Sequence, residues 1–112
     1  MRRGEVWWAA LGSPDGSAPG YRRPVVLLQA DEFNDSPIRT VVVVAITSNL
    51  RLAQAPGNVR CRRQDTGLRQ PSVVNVSQVA TIDKSRLLKR VSALPGRLLA
   101  QVEEGVRLAL GL

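Results

Sequence analysis

The chain has 112 residues, enough for one domain with a single core and too few for two. It carries 16 Lys and Arg against 9 Asp and Glu, a net charge of +7, which fits a nucleic acid, an acidic protein partner or simply a solvated surface. It contains no histidine, which excludes His-based ribonuclease chemistry, Ser-His-Asp hydrolysis and the usual zinc sites.

The first half of the chain predicts three strands. Glu5–Leu11 is short, aromatic and aliphatic, and the Gly, Pro, Ser and Asp residues at 12–20 predict a long mobile loop after it. Apolar runs rich in β-branched residues predict strands at Pro24–Ala30 and Thr40–Ile46, the second of them central. A turn is expected between these two strands, at Asp31–Pro37.

The second half predicts shorter strands, at Asn58–Arg63, Ser72–Ala80 and Lys89–Ser92. A loop at Asn49–Gly57 precedes the first of them. Asp83 is placed to cap a single turn at Lys84–Leu87. Short strands joined by loops predict a small barrel of mainly β structure.

One helix is predicted, at Gly96–Leu110, with Gly111 as its stop. Its apolar residues recur at helical spacing on one face: Leu98, Leu99, Val102, Val106, Ala109 and Leu110. Such a stripe is typical of packing on the barrel, although a partner-binding helix would show it too. We find no repeat or linker, so residues 1–112 are expected to form a single domain.

Two further features concern the cell compartment and the thiol. No apolar segment follows the charged start of the chain, and no stretch reaches the roughly 20 apolar residues of a membrane span, so we expect a cytoplasmic protein without membrane contact. Cys61 lies in an alternating stretch and is interpreted as a reduced, structural thiol. A nucleophilic cysteine would need a histidine partner that the chain lacks.

The first candidate site is the step from the loop into the second strand, at Arg22, Arg23 and Pro24. Pro24 forces the residue before it into an extended conformation, which would hold an arginine firmly. A guanidinium held by a strand and facing a cleft donates a fork of hydrogen bonds to phosphate and stabilises charge that grows in a transition state. A surface arginine pair at the start of a strand is the alternative.

Two polar groups follow predicted strands. Thr47, Ser48 and Asn49 lie at the exit of the central strand, where they would bind phosphate or ribose oxygens or simply end the strand as turn residues. The other group is on the strand at Ser72–Ala80. Asn75 and Ser77 share one face of it, whereas Gln78 is either a satisfied core amide or a group that reads a base.

Aromatic and basic residues add further candidates. Trp7 and Trp8 are adjacent on the first strand, so their rings face opposite sides. One is expected in the core, and the other stacks on a base or lies in a dimer interface. A basic cluster would follow an RNA backbone, meet an acidic partner or be a solvated face; it consists of Arg60, Arg62, Arg63 and Arg69.

Short segments in a fixed order cover essentially the whole chain: Arg3–Trp7, Gly16–Ser17, Arg22–Val25, Asp31–Asn34, Ile46–Asn49, Pro56–Val59, Val76–Val79, Thr81–Leu87 and Leu108–Leu112. At these spacings the set resembles the MazF/PemK family of toxin endoribonucleases. The resemblance implies a small SH3-like barrel with a C-terminal helix, forming a homodimer that a cognate antitoxin binds and silences.

The resemblance also implies a reaction. Members of the family cut single-stranded RNA at short motifs without a metal or other cofactor, by attack of the ribose 2′-oxygen on the adjacent phosphate, giving a 2′,3′-cyclic phosphate and a 5′-hydroxyl. The family's catalytic Arg and Thr correspond to Arg23 and Thr47. Arg23 would neutralise the pentavalent phosphate and pass a proton to the leaving oxygen, and Thr47 would hydrogen-bond a phosphate oxygen. We expect substrate binding by Arg22, Ser48, Asn49, Asn75, Ser77 and Gln78.

The sequence departs from the family pattern at two places. Ala18 stands where many relatives have the loop carboxylate proposed as general base, and Ser77 stands where many have an acidic residue before Gln78. Asp15 is an alternative candidate for the base. Two rival functions stay open on the sequence alone: a non-catalytic nucleic-acid-binding or regulatory module, and a toxin that acts on a protein, as the related gyrase poison CcdB does.

Overall fold

The computed structural model of the chain describes residues 1–11 and 21–112, so the long loop predicted at 12–20 lies outside the described residues. The strands are β1 Glu5–Ala10, β2 Arg22–Leu27, β3 Thr40–Thr47, β4 Val59–Cys61, β5 Ser72–Asp83 and β6 Leu87–Ala93. The helices are α1 Asp31–Asn34, α2 Arg63–Thr66 and α3 Gly96–Leu110, and single 3₁₀ turns occupy Leu50–Gln54 and Lys84–Arg86.

The strands form one curled sheet, a half-barrel, in the order β4-β5-β3-β2-β1-β6 with antiparallel neighbours. β3 lies inside the sheet between β5 and β2, as its continuous apolar run predicts. The mainly β fold with a C-terminal helix is therefore confirmed. None of the helices in the described ranges is long and apolar enough to cross a membrane.

Alternating residues bury both faces of the sheet. One face meets α3, and its core joins Val6, Val26 and Val44 to Leu98 and Val102 of the helix. The other face carries a second cluster, which consists of Ala9, Val25, Leu27, Val41 and Val43. Because neighbouring residues such as Val25 and Val26 enter different clusters, the register of these strands is strongly specified.

Several local predictions need correction. The expected turn at Asp31–Pro37 contains the helix α1, in which the buried Asn34 side chain donates to the carbonyl of Gln29 at 3.0 Å. The strand expected at Asn58–Arg63 ends at Cys61, because the Asp65 carboxylate accepts a hydrogen bond from the backbone N–H of Arg62 and starts α2.

Other local features also differ from the prediction. A 3₁₀ turn lies inside the loop predicted at Asn49–Gly57, and Asp83 ends a β5 that runs three residues past Ala80. Asp83 precedes the next turn but its side chain makes no capping hydrogen bond. Ala109 and Leu110 at the end of α3 are exposed and do not pack on the sheet, whereas Gly111 ends the helix in the left-handed conformation as predicted.

An irregularity in β5 decides the direction of its polar residues. Ile46 pairs with Val74 and Val44 pairs with Val79, so the single residue Ala45 of β3 faces the four residues 75–78 of β5. Such a bulge interrupts the alternation of side chains along a strand. Gln78 is exposed as a result, which excludes the core position considered for it.

The helix α3 approaches the β3–β4 connection through two glycines. A Cβ on Gly105 would lie 2.1 Å from the carbonyl oxygen of Gly57 and 2.9 Å from the nearer methyl group of Val76. Both neighbours are held, because Gly57 has a φ of +80° and Val76 is 1% exposed. The contact therefore requires glycine in the middle of a helix, where it is otherwise unfavourable.

We expect Gly105→Ala to lower the free energy of unfolding by about 1–3 kcal/mol, since the overpacked methyl group outweighs the gain in helix propensity. Urea unfolding followed by circular dichroism measures the change. Gly96→Ala is the matched control, because nothing lies within 4 Å of a Cβ there. It should be neutral or stabilising by up to about 1 kcal/mol. Equal stabilities for the two variants would contradict the close approach.

Candidate functional site

A cleft of about 780 Å³ opens on the sheet, next to the core that the sheet forms with α3. The start of β2, the end of β3, the segment 67–72 and the middle of β6 form its walls. Its lining includes five cationic side chains, which are Arg22, Arg23, Arg69, Lys89 and Arg90. Among the described residues that line it, none carries a carboxylate. A cleft lined by one sign of charge attracts a polyanion.

Arg23 and Thr47 both line this cleft, although 23 positions separate them in the sequence. They meet because β2 and β3 are antiparallel neighbours, so that β2 begins where β3 ends. The paired segment ends at Val25 and Ala45, and continuing its register by two residues places Arg23 opposite Thr47. Opposite residues on one pair of strands are close enough to act on one group.

Local contacts orient both side chains. The guanidinium carbon of Arg23 lies 4.9 Å from the centre of the Tyr21 ring, a cation–π contact that limits its motion. The Thr47 hydroxyl oxygen accepts a hydrogen bond from the backbone N–H of Asn49 at 3.1 Å. Its proton stays available for an acceptor in the cleft. The pair therefore offers a fork of N–H donors and one O–H donor.

The floor of the cleft is apolar. Trp8 pairs with Pro24 in the sheet, and the register of β2 and β3 puts Pro24 beside Ile46, so these three side chains form a row across the strands. Trp8 is 37% exposed, whereas Trp7 is partly buried against the second core cluster. The tryptophans thus face opposite sides as predicted, and the ring on the cleft side offers a flat surface to a base.

A buried carboxylate lies behind the cleft. Glu5 is 8% exposed and accepts hydrogen bonds from the backbone N–H of Arg2 at 2.7 Å, from Trp7 Nε1 at 3.0 Å and from Arg90 Nε at 2.7 Å. Burial raises the pKa of Glu5, but the hydrogen bonds from Trp7, Arg90 and Arg2 outweigh it and the net pKa is lowered. Glu5 is therefore an anion that tethers one of the cleft's arginines.

The remaining predicted residues fall into two groups. Arg22 and Ser48 line the cleft. Asn49 lies outside the lining and caps the following 3₁₀ turn, since its side chain accepts from the backbone N–H of Arg51 at 3.2 Å.

The three predicted residues of β5, Asn75, Ser77 and Gln78, also lie outside the lining. Asn75 is buried, and its side-chain oxygen accepts from Asn58 Nδ2 at 3.3 Å and from the Ser77 hydroxyl at 3.1 Å. Ser77 and Gln78 are exposed. Asn75 has a structural contact, and binding by these three residues stays a prediction.

The basic cluster is divided in the same way. Arg69 lines the cleft, while Arg62 pairs with the buried Asp65 at 3.2 Å. Hydrogen bonds from the Arg62 side chain and backbone lower the pKa of Asp65 despite its burial. Burial raises the pKa of the Cys61 thiol to about 11, which agrees with a structural role and leaves little thiolate at neutral pH.

Sequence reasoning missed the contributions of β6 and of the segment that leads into β5. The sequence predicts Lys89 and Arg90 only as part of a strand and does not single out Gln70 or Ser72, yet all four line the cleft. The signal was the adjacent basic pair in a strand, which becomes meaningful once β6 is known to pair with β1. Within residues 1–11 and 21–112, no group of three or more His, Cys, Asp or Glu side chains could hold a metal ion.

Comparison with known proteins adds a family and a fold. Residues 2–110 match the model of the PemK-like, MazF-like toxin of type II toxin-antitoxin systems. Endoribonuclease MazF6 of Mycobacterium tuberculosis is 44% identical over 112 residues, covering 100% of this chain and 98% of its own length. Endoribonuclease MazF of Staphylococcus saprophyticus is 37% identical over 113 residues, covering 100% and 92%.

A solved structure has the same fold. An endoribonuclease in complex with its cognate antitoxin from Mycobacterial species superimposes with a TM-score of 0.82 at 22% identity, over 100% of this chain and 96% of that one.

Proposed function

The chain belongs to the PemK-like, MazF-like toxin family and is an endoribonuclease, and we propose that it cuts single-stranded RNA at a short sequence motif without a metal, in the cytoplasm. The observation that carries this proposal is the cleft in which Arg23 and Thr47 meet among five cations. Cations give affinity for the backbone of RNA, and the Arg–Thr pair gives donors for one phosphate.

The proposed reaction needs no nucleophile from the protein. The 2′-oxygen of the substrate loses its proton and attacks the adjacent phosphorus, and the bond from phosphorus to the 5′-oxygen breaks. The products are a 2′,3′-cyclic phosphate and a 5′-oxygen that takes up a proton and leaves as a hydroxyl. Arg23 and Thr47 donate hydrogen bonds to the non-bridging oxygens, where negative charge grows.

In the proposed reaction, water carries out the proton transfers. Those that line the cleft carry no carboxylate, and Glu5 behind it is engaged by three donors. Arginine side chains keep their proton at neutral pH, so we assign Arg23 an electrostatic role, with water as the proton acceptor and donor. The two alternatives from the sequence, proton donation by Arg23 and general-base action by Asp15, stay untested, and Asp15 lies outside the described residues.

Regulation follows from the family. A solved Mycobacterial endoribonuclease of this fold is bound to its cognate antitoxin. We extend this to the present chain as a homodimer that a cognate antitoxin binds and silences. The positively charged cleft would suit an acidic segment of such a partner.

End-mapping on RNA tests the proposal. Purified protein is incubated with a mixed-sequence single-stranded RNA in excess EDTA, and the ends of the fragments are determined. We expect cuts at one short motif that persist in EDTA, with cyclic phosphate and 5′-hydroxyl ends. Intact RNA, or cuts that require a divalent cation, would contradict the proposal. The Arg23→Ala variant prepared in parallel excludes a contaminating nuclease.

A further inference from the structure

We propose that Arg90 binds a second RNA phosphate, next to the reacting one, and that Glu5 is the positioning residue that aims it. This inference rests on the proposed function, because it assigns a subsite to the same cleft. Arg90 lines the cleft on β6, its side chain is 50% exposed, and its Nε is tied to Glu5 Oε2 at 2.7 Å.

Glu5 holds Arg90 by one edge of its guanidinium group. The carboxylate uses one oxygen for the backbone N–H of Arg2 and for Trp7, and the other for Arg90. Only the Nε edge of the guanidinium is occupied. Within the described parts of the chain, its two terminal amino groups have no hydrogen-bond partner. A guanidinium fixed at one edge presents two parallel donors, the geometry that matches a phosphate.

The burial of Glu5 also points to a role in holding Arg90. Its side chain is 11% exposed, and a carboxylate is costly to bury unless donors surround it. An acidic residue behind a cleft for RNA weakens the attraction of a polyanion, so a structural carboxylate here is unfavourable unless it orders a cation. The arrangement is explained if fixing Arg90 in one orientation strengthens RNA binding more than the negative charge of Glu5 weakens it.

The distance between Arg23 and Arg90 suits two different phosphates. β1 lies between β2 and β6 in the sheet, so Arg23 and Arg90 are two strand spacings apart, about 10 Å across the sheet. Arg23 pairs with Ala9 whereas Arg90 pairs with Trp7, which adds an offset along the strands. The two guanidinium groups therefore suit different phosphates.

Binding to a fluorescent 2′-O-methyl RNA of mixed sequence tests Arg90, because this probe lacks the attacking hydroxyl. We expect Arg90→Ala to bind about ten- to hundredfold more weakly. We also expect the slope of log affinity against log salt concentration to become shallower by about 0.7, the value for one phosphate contact on a single strand. Wild-type affinity with an unchanged slope would overturn the proposal.

The Glu5→Gln variant tests the positioning role of Glu5 through the direction in which RNA affinity changes. The amide keeps an oxygen for Arg2 and Trp7 but turns N–H donors toward Arg90, which releases the tether. Loss of a negative charge alone would tighten RNA binding. We expect instead binding that is about threefold to tenfold weaker, because a free arginine must be ordered on binding. We expect no further loss when Glu5→Gln is added to Arg90→Ala. Tighter binding by Glu5→Gln would overturn the positioning role.

Controls separate the possible failures. Glu103→Gln is the matched control, because it removes a negative charge from the ion pair with Arg3, outside the cleft. It should bind at least as tightly as the wild type. If Glu5→Gln does not fold, Arg90→Lys takes its place. We expect this variant to bind RNA more weakly with an unchanged salt slope. Wild-type affinity would contradict binding of the phosphate by the two terminal amino groups of Arg90. Wild-type cleavage of ordinary RNA reports on the proposed function separately.

Discussion

Arg23→Ala is expected to reduce the rate of RNA cleavage at saturating substrate by about 10² to 10³, the loss seen when one preorganised donor to a developing oxyanion is removed. The fold should not change, because Arg23 is only partly buried and belongs to neither core cluster. Single-turnover cleavage of a defined RNA measures the rate, and a thermal melt checks the fold.

Two comparisons show whether geometry or charge is responsible. Arg39→Ala removes the same charge from an exposed residue outside the cleft and should cleave at the wild-type rate. Arg23→Lys keeps the charge but loses the planar fork and the stacking on Tyr21, so it should recover little activity. An Arg23→Ala enzyme as fast as the wild type would remove Arg23 from the catalytic site.

Thr47→Ala extends the same argument to the hydroxyl. It removes one neutral donor, which contributes less than a charged fork, so we expect a smaller loss of about tenfold to a hundredfold. Thr47→Ser keeps the hydroxyl, and its oxygen can still accept from the backbone N–H of Asn49. It should retain most of the activity.

Much of the fold follows from local pattern. The β-branched runs of β2 and β3 are strands because residues such as Val25 and Val26 bury opposite faces of one sheet. The meeting of Arg23 with Thr47 follows too, since antiparallel neighbours in a sheet bring the start of one strand to the end of the other. The general base cannot be identified in this way, because the resemblance locates it in residues 12–20, where this chain has Ala18 in place of the family's carboxylate.

Non-local contacts explain what the sequence could not predict. Lys89 and Arg90 enter the cleft only because β6 returns to pair with β1. Glu5 reads as an ordinary strand residue until its three donors are seen. Gln78 escapes prediction because the bulge opposite Ala45 breaks the alternation from which its direction was inferred. Each case depends on residues distant in the sequence.

Replacing the ribose at the scissile step by a single 2′-deoxy sugar should abolish cleavage there. Arg23 and Thr47 line the cleft together with four further cations, and no histidine, cysteine or carboxylate side chain is among the described residues that line it. In the proposed reaction the nucleophile is the substrate's own 2′-oxygen, so its removal leaves no group to attack the phosphorus. End-mapping supplies the cleavage motif, and an oligonucleotide built on it is synthesised with deoxyribose at that one position.

The same oligonucleotide with deoxyribose one nucleotide further on is the matched control, and it should be cut at close to the normal rate. The scissile-deoxy RNA should still compete with cleavable RNA at similar affinity, because the cationic side chains of the cleft bind phosphates rather than the missing hydroxyl. Tight binding without cutting would separate recognition from chemistry in one molecule. Cleavage of the scissile-deoxy RNA at the normal rate would require a nucleophile other than the 2′-oxygen, and the assignment of Arg23 and Thr47 to a cyclising phosphate would then be wrong.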